Sequence, residues 1–192
     1  IFYLAGVEAD DHIHTPALTS VRKRLPWLIV NLATALLAAT VVAMYEPTIA
    51  RFSFLAVFIP VVAGMGGDSG TQTLTIMVRS LALGEVSWKS GKTILLKEIA
   101  VGINNGIVTG IIAGIVAYLW KGNYMLGLVL GGAMTINVVV GGIVGTVVPL
   151  VLKKLNVDPA LASSIFVTTF TDAVGFLSFL GLATLLLQYL PA

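Results

Sequence analysis

The chain has 192 residues, of which 57% are hydrophobic and only 10% are charged, and its mean hydropathy is +0.99. Soluble domains carry about 25% charged residues, so this composition excludes an ordinary soluble domain and predicts an integral membrane protein. The net charge of +2 is too small to indicate a nucleic-acid partner, and the absence of cysteine excludes a disulfide framework, a thiol nucleophile and a cysteine-based metal site.

The first segment, residues 1–20, stays polar and contains Glu8, Asp10 and Asp11. We expect it to be the end of a preceding cytoplasmic segment. The chain starts at Ile1 rather than at a methionine and shows no signal-peptide pattern, which favours a fragment of a longer protein. Residues 21–192 then form the transmembrane domain.

Five apolar stretches follow, each long enough to cross a bilayer, which takes about 20 residues. They predict an all-α membrane protein with transmembrane helices at about 25–45, 52–83, 94–120, 125–152 and 160–189. With a cytoplasmic N-terminus, nine of the eleven Lys and Arg residues lie on the cytoplasmic side. This asymmetry is what the positive-inside rule predicts, and it places the C-terminus outside the plasma membrane.

The second stretch contains a glycine-rich segment, Gly64 to Gly70, with four glycines in seven residues. Each glycine weakens a helix by roughly 1 kcal/mol relative to alanine, so we expect irregular backbone that is buried in protein or lines water. Free carbonyls beside Asp68 and Gln72 would form an oxygen-rich surface suited to hard cations. The alternative is a packing bend with Asp68 near the membrane interface.

The third and fourth stretches carry glycines at intervals of four residues, which place a smooth ridge on one helix face and predict close helix packing. These glycines are Gly102, Gly106, Gly110, Gly114, Gly141 and Gly145. The same stretches contain amides and hydroxyls, among them Asn104, Asn137 and Thr135. We expect most of these to form interhelical hydrogen bonds and one or two to line a path.

The fifth stretch contains Asp172, the most informative residue of the chain. An ionised carboxylate in hydrocarbon costs at least roughly 2.5–3.5 kcal/mol, so such a residue usually faces a protein interior or a water path. Ser164, Thr168 and Asp172 share one helix face over about 12 Å, which indicates a cation path with Thr169 and Gly175 beside it. The alternatives are a neutral or paired carboxyl, and hydroxyls that bond back to helix carbonyls.

Charge alone does not select the ion. One carboxylate attracts a cation, and two from symmetric subunits suit a divalent ion. Mg²⁺ usually keeps several of its waters, so a wide site of carboxylates and neutral oxygens suits the hydrated ion. Mn²⁺, Ca²⁺ and protons remain open at this point.

Several short motifs appear in a fixed order along the chain: Arg22–Trp27, Pro60–Gly67, Gly70–Gln72, Lys97–Glu98, Val157–Ala160 and Thr171–Gly175. In this order they closely resemble the membrane domain of the MgtE family of magnesium channels and transporters, and the resemblance covers about residues 18–190. It implies a homodimer with five spans per subunit and an ion path at the dimer axis. It also implies cytoplasmic N and CBS domains that regulate the pore and are absent here, with Ile1–Val7 as the end of the helix that joins them.

The resemblance assigns roles to individual residues. Asp172 matches the pore carboxylate of the family and is expected to bind the transported Mg²⁺. Mg²⁺ is the only ion or cofactor that we expect this chain to bind. The glycine-rich element of the family matches Gly66–Gln72. Together with the polar stripe of the fifth stretch, this predicts Asp172, Thr168, Ser164 and Asp68 as metal ligands and Gly66, Gly67, Gln72, Thr169 and Gly175 as pore-lining residues. Asp158 and Glu98 lie at the cytoplasmic side and are expected as auxiliary ion sites.

Some of these assignments have alternatives. Members of the family often have Asn in place of Asp68 and of Ser164, so an additional carboxylate per subunit is expected to tighten divalent binding or to change selectivity. Asp158 and Glu98 have solvated or capping roles as their alternative.

The function that best fits these features is a divalent-cation channel or transporter, not an enzyme, with a second copy, membrane lipid and its own regulatory domains as partners. An intramembrane aspartyl protease fits poorly, because Asp68 is not in a Gly-x-Gly-Asp motif and Pro159-Ala160-Leu161 precedes Asp172. A proton- or sodium-coupled secondary transporter remains the main alternative, since broken helices and membrane carboxylates are common in that class.

Overall fold

The computed structural model describes residues 13–87 and 90–186, and the side chains of residues 161–163 are outside that description. The described residues form six α-helices and no strand. In chain order the helices are α1 (Ala17–Met44), α2 (Glu46–Arg51), α3 (Leu55–Ala82), α4 (Gly91–Lys121), α5 (Tyr124–Lys154) and α6 (Pro159–Leu185).

The long helices match the five predicted apolar stretches in order, and the prediction of an all-α membrane protein is confirmed. Four of them, α1, α4, α5 and the Ser164–Leu185 part of α6, are long and apolar enough to cross a membrane. The polar residues of α3 lower its hydropathy, although its 28 residues span about 42 Å at 1.5 Å per residue. α1 begins at Ala17, inside the predicted N-terminal segment, whose first twelve residues lie outside the described ranges.

The predicted irregularity in the second span is wrong, because α3 is one continuous α-helix through its glycine-rich segment. The glycines are used for close contact with α5. A methyl group at Gly141 would lie 2.6 Å from the carbonyl oxygen of Gly66, and one at Gly145 would lie 2.7 Å from that of Gly70. Side chains at these positions would separate the two helices.

α5 is the central helix, and it packs against α3, α4 and α6. Its edge toward α4 also relies on glycine. A methyl group at Gly110 would lie 2.5 Å from the carbonyl oxygen of Gly131, and one at Gly114 would lie 2.7 Å from that of Gly127. Gly102 and Gly106 meet the α5 backbone at Val139 and Thr135 in the same way. The glycines of α4 and α5 therefore face helix interfaces.

Short connections hold the remaining helices in place. Gly122 ends α4 in the left-handed conformation with φ 69°, and the side chain of Asn123 caps α5 by accepting from the Leu126 amide at 3.1 Å. α1 packs mainly against α6, where the Tyr45 hydroxyl lies beside Gly181. The apolar core groups buried residues of α3, α4, α5 and α6, including Leu55, Val62, Ala117, Leu126, Leu130 and Phe179.

Candidate cation-binding surface

Asp172 lies in the middle of α6, where it is partly buried. No residue in the described ranges forms a hydrogen bond or an ion pair with its carboxylate. The sequence also allowed a paired carboxyl that holds two helices together, but the described residues supply no such partner for Asp172. An unpaired carboxylate at this depth in a span is the usual mark of an ion path.

The hydroxyls next to Asp172 donate to carbonyls of their own helix. Thr168 donates to the Ser164 oxygen at 3.0 Å and Thr169 donates to the Ile165 oxygen at 2.6 Å, while the buried Thr171 donates to the Val167 oxygen at 2.9 Å. This is the back-bonded arrangement named as the alternative above. The hydroxyl oxygens keep lone pairs, so Thr168 and Thr169, which are partly exposed, retain the capacity to accept from a hydrated ion.

α3 presents a polar face away from the rest of the subunit. Asp68 and Gln72, one turn apart, are both exposed, and so are Thr71 and Thr75. Ser69 points the other way and donates to the Val138 oxygen of α5 at 3.1 Å. The four exposed polar groups are therefore not enclosed by the other described helices of the subunit, and in a membrane such groups face protein or water and not lipid.

The contact between α3 and α6 brings the two carboxylate-bearing helices together. A methyl group at Gly67 would lie 4.0 Å from the Thr171 hydroxyl oxygen, and one at Gly70 would lie 2.5 Å from a methyl of Val167. Gly67 and Thr171 meet at this contact, and Asp68 and Asp172 are the residues that directly follow them in the chain. We call Asp68, Gln72, Thr168 and Asp172 the α3–α6 polar surface.

Two glycines predicted to line the pore lie at a helix interface of the subunit. Gly66 and Gly175 are buried, and both lie against the side-chain amide of Asn137 on α5. This amide fills the space that each missing side chain leaves between the helices. The position of the two glycines in a pore stays a prediction. Gly67 remains partly exposed beside Thr171.

The two candidate auxiliary carboxylates are held by the protein itself. Glu98 is only 6% exposed; its Oε2 accepts from the Thr73 hydroxyl of α3 at 2.9 Å, and its Oε1 lies 3.4 Å from Lys97 Nζ. Asp158 is exposed and caps α6 by accepting from the Ala160 amide at 2.9 Å. Capping therefore accounts for Asp158, whereas Glu98 is buried and joins α4 to α3.

Other polar contacts were only partly visible to sequence reasoning. Thr135 donates across the helix interface to the Gly106 oxygen at 3.0 Å, but Asn104 bonds within its own helix to the Ala100 oxygen at 2.8 Å. The Thr73–Glu98 bond was missed, although a carboxylate at the end of a span was a signal for it. The described residues contain no group of three or more His, Asp and Glu side chains arranged to hold a metal ion.

The fold and the surface define a class: a multi-pass α-helical membrane protein with a carboxylate, Asp172, in the middle of an apolar helix and without a partner among the described residues. Comparison with known proteins makes this class more specific. Residues 59–182 match the family model of MgtE, described as a divalent cation transporter. The chain therefore belongs to the MgtE family.

Three curated relatives carry the name magnesium transporter MgtE. The chain is 34% identical to the Bacillus subtilis protein over 91% of its own length, 36% identical to the Enterococcus faecalis protein over 97%, and 30% identical to the Thermus thermophilus protein over 98%. The matches span 39%, 41% and 42% of those relatives, respectively. The chain thus corresponds to about two fifths of their length.

Proposed function

We propose that this chain forms the path by which a Mg²⁺ transporter moves Mg²⁺ into the cytoplasm down its electrochemical gradient. The observation that carries the proposal is the unpaired carboxylate of Asp172 beside the exposed polar face of α3. Membership of the MgtE family and the relatives named as magnesium transporters support the choice of ion.

The proposed path lies between two copies of the chain. The α3–α6 polar surface of one subunit faces the same surface of the other, so that two Asp172 carboxylates flank one hydrated Mg²⁺. Two negative charges match a divalent ion, and neutral oxygens of Ser164, Thr168 and Gln72 bond to its retained waters. A symmetric dimer also supplies the partner that the polar face of α3 requires.

The proposed topology has five spans, with α3 as the fifth span besides the four strongly apolar ones. The N-terminus is cytoplasmic and the C-terminus is outside, because this orientation puts most Lys and Arg residues inside. The membrane potential then drives entry with about 2.3 kcal/mol per charge per 100 mV, and twice that for a divalent ion. Regulatory domains of the complete protein act on this path from the cytoplasmic side.

Proteoliposomes that contain the purified protein test the proposal. Under an inside-negative potential we expect Mg²⁺ uptake that continues when the proton and sodium gradients are both removed. Uptake that stops with either gradient would instead support the coupled secondary transporter, for which the membrane carboxylate of Asp172 is the favouring observation. The absence of Mg²⁺ uptake under every gradient would contradict both functions.

A further inference from the structure

The side-chain amide of Asn137 lies where α3, α5 and α6 meet. It is 0% exposed, and its Nδ2 donates to the Val62 oxygen of α3 at 2.7 Å. Gly66 of α3 lies so close that a methyl group there would overlap the amide, and a methyl group at Gly175 of α6 would lie 2.5 Å from Nδ2. The flat amide therefore separates the backbones of α3 and α6, and glycine on both sides leaves room for it.

The amide is retained at an energetic cost. Its Oδ1 accepts no hydrogen bond from the described residues, and a buried unsatisfied acceptor costs about 1–3 kcal/mol. The bond to Val62 fixes the orientation, because a flipped amide would set two oxygens against each other. A buried polar group that costs stability calls for a structural or functional explanation.

The position of the amide supplies that explanation. Gly66 precedes Asp68 by less than one helical turn, and Gly175 follows Asp172 by less than one turn. The thickness of the Asn137 side chain thus sets the separation of α3 and α6 at the level of both carboxylates. Selectivity between Mg²⁺ and Ca²⁺ depends on cavity size, ligand number and flexibility, so this separation bears directly on ion choice.

We propose that Asn137 is a positioning residue that sets the spacing of the α3–α6 polar surface and thereby its preference for Mg²⁺ over Ca²⁺. The inference rests on the proposed transport function. Asn137 is enclosed by three helices and does not touch the ion. It acts through the backbones of α3 and α6, which carry the carboxylates.

Substitution of Asn137 by leucine tests the role of the planar amide. Leucine has a similar volume, but its tetrahedral Cγ is thicker than an amide plane and forces the two glycine backbones apart. In proteoliposomes we expect the Asn137→Leu variant to lose about tenfold in the ratio of Mg²⁺ to Ca²⁺ uptake, which corresponds to 1.4 kcal/mol. Asn104→Leu is the matched control, since Asn104 is an exposed amide bonded within α4, and its ratio stays unchanged. An unchanged ratio in Asn137→Leu with normal Mg²⁺ flux would overturn the proposal.

A pair of compensating substitutions tests the same contact between Asn137 and the glycines, this time from α6. Gly175→Ala places a methyl group against the amide and is expected to lower the uptake ratio. Asn137→Ser shortens the opposing side chain, so the double variant Gly175→Ala/Asn137→Ser is expected to recover much of the ratio. Equal losses in the single and double variants would contradict a spacing role. This comparison applies even where Asn137→Leu fails to fold.

Disulfide cross-linking reads the spacing without transport. The chain has no cysteine, and a methyl group at Gly67 would lie 4.0 Å from the Thr171 hydroxyl oxygen, so Gly67→Cys and Thr171→Cys place two cysteines next to each other across the contact between α3 and α6. We expect the bond to form under mild oxidation, and to form several-fold more slowly when Asn137→Leu is added. Equal rates would overturn the proposal. Absence of Mg²⁺ uptake in the unmodified protein would instead overturn the proposed function while leaving this spacing test valid.

Discussion

At the scale of single residues, the partner of each carboxylate distinguishes a structural role from a role in transport. Asp158 accepts from a helix N-terminal amide, and Glu98 accepts from Thr73 inside the protein. Asp172 has no such partner among the described residues, and Asp68 is exposed on α3. The first two are accounted for by the fold, whereas the last two remain available to a cation.

The buried bond of Glu98 leads to a stability prediction. Glu98→Ala leaves the Thr73 hydroxyl without its acceptor and empties a buried site, so we expect a loss of about 1–3 kcal/mol in the free energy of unfolding. Glu98→Gln keeps an acceptor oxygen and is expected to lose less. Denaturant unfolding in detergent measures both variants. If Glu98 is an ion site instead, Mg²⁺ will stabilise the parent against unfolding more than it stabilises Glu98→Gln.

The Lys97–Glu98 ion pair is the matched control for this residue. The side chain of Lys97 is 67% exposed, whereas that of Glu98 is 8% exposed. The charge of Lys97 is therefore largely screened by water, and its removal leaves the hydrogen bond between Thr73 and Glu98 in place. Lys97→Ala is therefore expected to change stability little. A loss in Lys97→Ala as large as that in Glu98→Ala would show that the Thr73 bond does not account for the stabilising effect of Glu98.

At the scale of helices, glycine determines how closely α3, α4 and α5 approach one another. In a membrane the association of helices depends on van der Waals packing and on small residues that let backbones meet. α5 uses one set of glycines toward α4 and another toward α3. α5 thus holds together α4, at the periphery, and α3, which carries part of the proposed cation surface.

Gly141→Ala tests this packing. The added methyl group would lie 2.6 Å from the Gly66 oxygen, so the helices must separate, and overpacking of this kind costs about 1–3 kcal/mol. Gly132→Ala on the same helix is the matched control, because among the described residues its methyl group would meet only Leu182, at an ordinary van der Waals distance of 3.8 Å. Thermal unfolding in detergent should show a lower midpoint for Gly141→Ala alone. Equal midpoints in both variants would contradict the close α3–α5 contact.

The helices could be predicted from the sequence better than their contacts. The length of an apolar stretch is a local property, and it located α1, α3, α4, α5 and α6 in order. The irregular backbone predicted between Gly64 and Gly70 was wrong, because a helix propensity cost of roughly 1 kcal/mol per glycine is opposed by backbone contacts with a distant helix. Which helix faces a glycine depends on the tertiary fold.

In the candidate site, too, some residues could be predicted from the sequence and others depended on the fold. Asp172 could be selected from the sequence, because a charge within a span is visible without a fold. The burial of Gly66 and Gly175 could not, since it depends on Asn137 of another helix entering between them. The burial of Glu98 against Thr73 likewise requires α3 and α4 to meet. The assignment of ion ligands stays a prediction.

At the scale of the whole molecule, two of the surfaces that the described residues leave exposed differ in polarity. α1 has Ala38 as its only buried residue, and the polar face of α3 carries Asp68 and Gln72 outward. An apolar surface such as that of α1 is compatible with lipid, but a charged surface at membrane depth is not. The proposed dimer axis along α3 would cover the polar face of α3 with the same face of a second subunit.

Cysteine cross-linking tests the position of this axis. Gly64 lies on the exposed face of α3, where no atom of the described residues lies within 4 Å of an added methyl group, and the chain has no cysteine of its own. We expect Gly64→Cys to give a covalent dimer on oxidation in membranes. Val108→Cys, at an exposed position on α4, is the matched control and should stay monomeric. A covalent dimer through position 108 alone would place the axis elsewhere.

The most direct test of the central claim is Mg²⁺ uptake by the Asp172→Asn variant in proteoliposomes under an imposed inside-negative potential. Asparagine keeps the size and the oxygen but removes the charge that attracts a divalent ion, so we predict that uptake falls to the level of empty vesicles while the protein stays folded. Glu85→Gln makes the same chemical change on the exposed connection after α3 and should keep parental uptake. Parental uptake by the Asp172→Asn variant would contradict Asp172 as the essential site of the path.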